Sequence, residues 1–251
     1  MFEITISTDK SRMKDVLFII NRIRSQVKAL KAIMVCEEID KRSKLTIAVV
    51  EEKKDFLISI IFDAIAESIV RSYKEEYLYS KLYDKIADKV VLSAFVKALT
   101  MFDKTSDKEF VKQKLSISEE ILMDSFYKFR LWDLEKRWSE IASLVSESSS
   151  YLLMSGTFME LMRFLIMTNE CECGEISLKV QNGHICAKNN EGMDVFSFKY
   201  VKNDDKSLIN VISELISLAP EKIIVDGEYI DENLKKYLTG LFEGRVSVLN
   251  R

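Results

Sequence analysis

Glu175-Ile-Ser-Leu-Lys-Val-Gln181, then Asn182-Gly183, then His184-Ile-Cys-Ala-Lys-Asn189 is the stretch on which the fold reading turns. Apolar and polar residues alternate on both sides of the Asn-Gly pair, which is the period of a half-buried strand. Asn-Gly suits a type I′ turn, whose two central residues both take positive φ. A β-hairpin is therefore expected, with Gln181 opposite His184 and Lys179 opposite Cys186. Ile176, Leu178 and Val180 then share one face with Ile185 and Ala187.

Beyond the hairpin, 190–192 offers a second turn and 195–198 a third strand. Residues 208–218 have helical spacing, with Pro220 just past their end. Residues 222–225, 232–242 and 245–249 read as strand, helix and parallel strand, a crossover unit.

Toward the N-terminus the texture changes. All seven glycines lie at or after Gly156, and the one proline is Pro220. Glycine and proline cost about 1 and 3 kcal/mol inside a helix, so a long stretch without them, rich in Lys, Glu, Leu, Ile and Ala, reads as mostly helix. Helices are expected at 54–78, 80–102, 107–114 and 10–34, the last with Val16, Ile20, Ile23, Val27, Leu30 and Met34 along one side. Residues 2–7 and 45–50 read as strands of a βαβ or hairpin-like unit. Ser116-Ile-Ser-Glu119 and Thr157-Phe-Met-Glu160 both fit a capping box. The first is expected to open a long helix through Phe126, Phe129, Leu134, Trp138, Ile141 and Val145, stopped at Gly156. The second is expected to open a short helix ending near Thr168. Most aromatic residues of the long helix should be buried, and Trp132, off the line from Phe129 to Trp138, should be partly exposed.

The fold class expected is α+β: a mostly helical central portion, short N-terminal strands, and a C-terminal sheet built from the hairpin and a βαβ unit. No linker longer than a few residues is visible, so 1–251 reads as one continuous domain. The alternative division is a mostly helical 1–169 and an α/β 170–251.

Charge and hydropathy exclude some classes of function. Net charge is −3, which gives no general attraction to nucleic acid or membranes. The most apolar stretch, 56–70, is interrupted by Asp63 and Glu67 and is shorter than the roughly 18 apolar residues of a membrane span. The N-terminus lacks a basic start followed by an apolar run, so no secretory leader is read. A cytoplasmic location follows as an expectation, with Cys36, Cys171, Cys173 and Cys186 as reduced thiols.

His184 is the only histidine, so any Ser-His or Cys-His machinery must use it. Beside a hairpin turn, with no obvious serine nucleophile on either strand, it reads as a solvated side chain. Cys171-x-Cys173 and His184-x-Cys186 have the ligand types of a zinc site. The hairpin register opposes that reading: Cys173 falls six residues from the position opposite Cys186, roughly 20 Å at about 3.3 Å per residue. No metal and no cofactor are expected. Before Gly156 no glycine exists to build a phosphate loop, and after it neither the dinucleotide nor the P-loop pattern occurs.

Two groups of residues are candidates for binding. Asp226-Gly227-Glu228 follows a strand expected to be parallel, where open α/β sheets take ligands. Asp226 and Glu228 thus mark a candidate pocket, against the simpler reading of a plain turn. On the first helix, Lys10, Lys14, Arg24, Lys28 and Lys31 fall within an arc of about 100° at 100° per residue. Such a stripe suits nucleic acid or an anionic surface. The competing reading, a solvated face neutralised by Glu37, Glu38, Glu51 and Glu52, is preferred because phosphate binding needs wider basic coverage. Arg130 with Asp133 and Glu160 with Arg163 are expected to form i,i+3 pairs.

Asp124-Ser-Phe-Tyr-Lys-Phe-Arg-Leu-Trp-Asp-Leu134 and Phe158-Met-Glu-Leu-Met-Arg-Phe-Leu-Ile166 resemble the central segment of the YtxC-like proteins. Leu215-Ile-Ser-Leu-Ala-Pro-Glu-Lys-Ile-Ile-Val225 and Phe242-Glu-Gly-Arg-Val246 are similar too. The resemblance spans about residues 120–250. It implies a link to sporulation in a bacterial cytosol and brings with it no activity, cofactor or catalytic residue. The function expected is a non-catalytic interaction or regulatory protein with an unidentified protein partner. The alternatives are a binder of nucleic acid or an anionic surface through the first helix, and an enzyme using Asp226 and Glu228.

Overall fold

The structure, a computed structural model, describes residues 1–154, 157–169, 173–226 and 230–249. The fold is α+β. Its contacts group into two compact units, one of Met1–Tyr77 and Asp103–Ile141 and one of Leu78–Phe102 and Ala142–Arg251. Among the described residues no helix is long and apolar enough to cross a membrane.

The first unit holds a four-stranded sheet. Strand β1 (Phe2–Asp9) alternates as its sequence demands, with Ile4 and Ile6 fully buried. Helix α1 (Met13–Leu30) buries Val16, Ile19, Ile23, Val27 and Leu30. It stops four residues short of the expected end, because Lys31 takes the left-handed conformation at φ 56° and returns its N–H to the Lys28 and Val27 carbonyls. The chain then enters β2 (Ile33–Ile39), so Met34 is a strand residue, and β3 (Arg42–Val49). β3 runs antiparallel to both β1 and β2, as a hairpin-like arrangement requires.

The largest departure from expectation concerns Ser116–Glu119. This capping-box sequence does not open a helix. Glu120–Leu122 forms β4, parallel to β1, with Ile6 beside Ile121 and Ser7 beside Leu122. A cap is worth about 1 kcal/mol, whereas burying an isoleucine contributes about 1.5–3 kcal/mol. Burial of Ile121 and a parallel ladder therefore outweigh the local signal. Helix α6 (Met123–Arg130) follows, and Leu131, fully buried at φ −115°, interrupts the expected long helix before α7 (Trp132–Met154). Gly156, the expected stop, lies outside the described residues.

Within the first unit α2 (Lys54–Ser68) packs on α5 (Lys104–Lys114); α3 (Lys74–Leu82) and α4 (Lys89–Met101) come between them in the chain. Glu67 of α2 takes ion pairs from Lys104 at 2.8 Å and Lys108 at 2.7 Å. Burial pushes the Glu67 carboxyl up, but the two lysines together outweigh it and hold it below its usual value near 4.5. A depressed carboxyl pKa stabilises the fold above its unfolded value, and that stabilisation is lost as pH falls through the folded value. Stability is thus expected to decline with acidification below about pH 4.5, the unfolded value. Acid titration of Glu67→Gln should show a shallower decline, and identical curves would count against the pair.

In the second unit β5 (Glu175–Gln181) and β6 (His184–Asn189) form the expected hairpin in the expected register, Gln181 opposite His184 and Lys179 opposite Cys186. Asn182 and Gly183 both have positive φ, 50° and 72°. A Cβ on Gly183 would meet nothing within 4 Å. Gly183→Ala is therefore expected to cost only the left-handed backbone penalty, about 1 kcal/mol in denaturant titration. β7 (Asp194–Lys199), α9 (Asp205–Leu218), β8 (Lys222–Asp226), α10 (Glu232–Leu241) and β9 (Val246–Leu249) follow, in the sheet order β7-β6-β5-β8-β9. β8 is parallel to both β5 and β9. Helix α9 packs on β7 and on α4 (Lys89–Met101). In α8 (Thr157–Thr168), Arg163 bonds outside its own helix: its Nε donates to the Gly240 carbonyl at 2.6 Å and its Nη1 pairs with Glu243 at 2.6 Å.

Candidate functional site

At the C-terminal ends of the parallel strands β1 and β4 the sequence places Thr8, Asp9 and Asp124, and the fold closes a polar cluster around the Asp124 carboxylate. Its Oδ2 accepts from the Asp9 N–H at 2.8 Å and from Arg42 Nη2 at 3.2 Å. Its Oδ1 accepts from Thr8 Oγ1 at 3.2 Å and from the Tyr73 hydroxyl at 3.3 Å. Arg42 Nε also reaches Ser7 Oγ at 2.6 Å. Tyr73 closes a π-helical turn, Ile69–Tyr73, and carries the Arg12 guanidinium 3.8 Å from its ring centroid. Burial pushes the Tyr73 phenol above its usual range; Arg12 opposes this, and Asp124 and Asp15 add to it. The phenol stays protonated and acts as a donor. Arg12 also pairs with Asp15 at 3.0 Å and with Glu76. The second Asp15 oxygen, Oδ1, is buried without a partner among the described residues. The four donors on the Asp124 carboxylate anchor α6 to β1, β3 and the π-turn.

This anchored segment presents two large aromatic side chains outward, beside the exposed Lys128 and Arg130. Phe129 is 68% exposed and Trp132 63% exposed. The exposure of Trp132 follows from its position off the buried line. That of Phe129 corrects the expectation of a buried aromatic, and the break at Leu131 gives the reason. Leu131, Leu134, Trp138, Ala142 and Val145, at spacings of three and four, already fill the buried stripe. Phe129 lies in α6, before the break, and takes no part in that stripe. Beside Phe129 runs a groove of about 280 Å³ between Leu115–Leu122 and α6, lined by Leu115, Ile121, Leu122, Phe126, Phe129 and Arg130 with Ser116, Ser118, Ser125 and Glu120.

The residues singled out from the sequence do not converge on this place. Lys10 sits in a 3-10 turn before α1 and pairs with Glu38 at 2.5 Å. Lys14 pairs with Glu76 at 2.7 Å. Arg24 and Lys28 are exposed on α1, and Lys31 lies past its end. Arg22, near the stripe, approaches Asp63 at 4.0 Å. Asp226 ends β8 beside Leu249, with its Oδ1 buried and without a partner among the described residues. Glu228 lies outside the described residues.

His184 is exposed, its Nδ1 3.2 Å from the Asn182 carbonyl oxygen. Cys186 faces Ser197 Oγ at 3.3 Å, while Cys173 donates to the Leu218 carbonyl at 3.4 Å. Cys171 lies outside the described residues. Among the described residues no group of three or more His, Cys, Asp or Glu is placed to hold a metal ion.

No curated protein and no solved structure matches the chain. The model of the YtxC-like family matches residues 54–247. The match reaches back through α2, α4 and α5, well before the segment at 124–134 that carries the resemblance, and covers more than half of the sequence. The chain belongs to the YtxC-like family.

Proposed function

We infer that this protein acts by binding a protein partner during sporulation in the bacterial cytosol, without catalysis of its own. The observation that carries this reading is the pair of exposed aromatic side chains, Phe129 and Trp132, on a segment anchored through Asp124. Large aromatic residues held rigid at a surface are the side chains that most often dominate protein interfaces. The basic first helix supports a nucleic-acid reading less well, because Lys10 and Lys14 are committed to Glu38 and Glu76. The link to sporulation rests on the family resemblance.

Affinity purification of the tagged chain from growing and from sporulating cells tests the reading. A specific protein recovered only from sporulating cells, and lost with Phe129→Ala/Trp132→Ala, is the expected result. Recovery of no specific protein under either condition would sink it. A second reading, an enzyme built on Asp226 and Glu228, has in its favour the Asp226 Oδ1, buried without a partner among the described residues. A defined small molecule co-purifying with the wild-type chain and absent from Asp226→Asn would favour that reading instead.

A further inference from the structure

The groove beside α6 has a charge pattern that specifies what it takes. Its apolar lining comes from Leu115, Ile121, Leu122, Phe126 and Phe129. The one acid in its lining, Glu120, is neutralised by Lys44 at 3.1 Å. At its rim Arg130 is exposed and forms no ion pair among the described residues, and Lys128 holds its ammonium 5.6 Å from the Phe129 ring centroid. A guanidinium so placed beside an apolar slot is complementary to a carboxylate carried next to a large apolar side chain. The volume, about 280 Å³, falls just below the range of roughly 300–1,000 Å³ for small-molecule sites. It suits one or two side chains better than a whole ligand. The groove also borders β4, an edge strand whose outer side is covered by no other strand among the described residues, so an extended chain can add its backbone there.

We propose that this groove receives an extended segment of the partner protein in which an Asp or Glu lies next to Phe, Leu or Trp, the carboxylate being held by Arg130. The assignment rests on the interaction reading and adds the chemistry of the partner to it.

The test uses the full chain as bait and a displayed library of random 12-residue peptides as the probe. Enriched peptides are expected to carry an acid within about three residues of a large apolar side chain, the reach of one strand-bound segment. A synthetic copy should bind Arg130→Glu and Phe129→Ala at least about tenfold more weakly than wild type, the scale of losing a charge-assisted or anchor contact. Changing the peptide's acid to Lys should restore binding to Arg130→Glu. Both positions are exposed, so unchanged melting temperatures should accompany these losses; Arg130→Gln serves if the charge reversal disturbs folding. No enrichment, or equal binding to wild type and Arg130→Glu, would overturn the proposal. A partner captured from sporulating cells as well by Arg130→Glu as by wild type would remove the groove and leave the interaction reading standing. Acid-dependent peptide binding with no cellular partner would do the reverse.

Discussion

Asp107→Ala is expected to destabilise the first unit by about 3–5 kcal/mol, the range for a buried ion pair stripped of one member. Asp107 of α5 is 3% exposed and Lys74 is 1% exposed. The Asp107 Oδ2 accepts from Lys74 Nζ at 2.8 Å and from the Trp138 indole N–H at 3.0 Å, and Oδ1 accepts from Arg137 Nη2 at 3.2 Å. Burial already lowers the Lys74 pKa, and Asp107 opposes that shift without cancelling it. Alanine removes the carboxylate that Lys74 faces and leaves the buried indole N–H of Trp138 without this acceptor. Lys74→Met should cost less, since Asp107 keeps Trp138 and Arg137. Thermal melting should fall by roughly 6 °C or more for Asp107→Ala and by a smaller step for Lys74→Met. An unchanged midpoint for Asp107→Ala would show that this network contributes nothing to stability.

Asp124→Ala carries the second-largest expected effect. The carboxylate joins the end of β1, Arg42 of β3, Tyr73 and the first turn of α6. It is partly exposed, so water can replace some of these contacts, and a loss of about 2–3 kcal/mol is expected from hydrogen bonds to a charged acceptor. Asp124→Asn keeps one acceptor oxygen and should lose less. Because this carboxylate fixes where α6 begins, Asp124→Ala should also weaken the peptide binding that depends on Arg130, although Phe129 and Arg130 are untouched. Denaturant titration and the same peptide assay read both effects. Full stability with full binding would remove Asp124 from the role of anchor.

Much of the second unit is legible in the sequence. Asn182-Gly183 sets a turn that tolerates little else, and a two-residue hairpin fixes its own register. The alternation around it then decides which side chains face inward, and Ile176, Leu178, Ile185 and Ala187 are all buried. The ends of elements in the first unit are less legible. Lys31 stops α1 without a glycine, so the missing punctuation that suggests helix through residue 34 conceals a helix end and the start of β2. Leu131 interrupts the long helix with no sequence mark of its own.

The candidate site is legible only in part. Phe126 and Phe129 read as core because spacings of three and four usually mean a buried face. The assignment fails at Phe129 because the buried stripe starts at Leu131. The groove needs β4 as its second wall, and β4 exists only where Ile121 meets Ile6.

By itself, then, the sequence determined the class of the fold, the hairpin with its register, and the strand-helix-strand unit at the C-terminal end. Each of those rests on residues close along the chain, where turn chemistry and periodicity act directly. Only the tertiary structure decided that Ser116–Glu119 is extended, that Phe129 faces solvent, and that Asp107 and Asp124 are the carboxylates on which the first unit hangs. Their partners lie up to 116 residues away, as Thr8 does from Asp124. A contact at that separation leaves no local periodicity, because it forms only after the strands have paired.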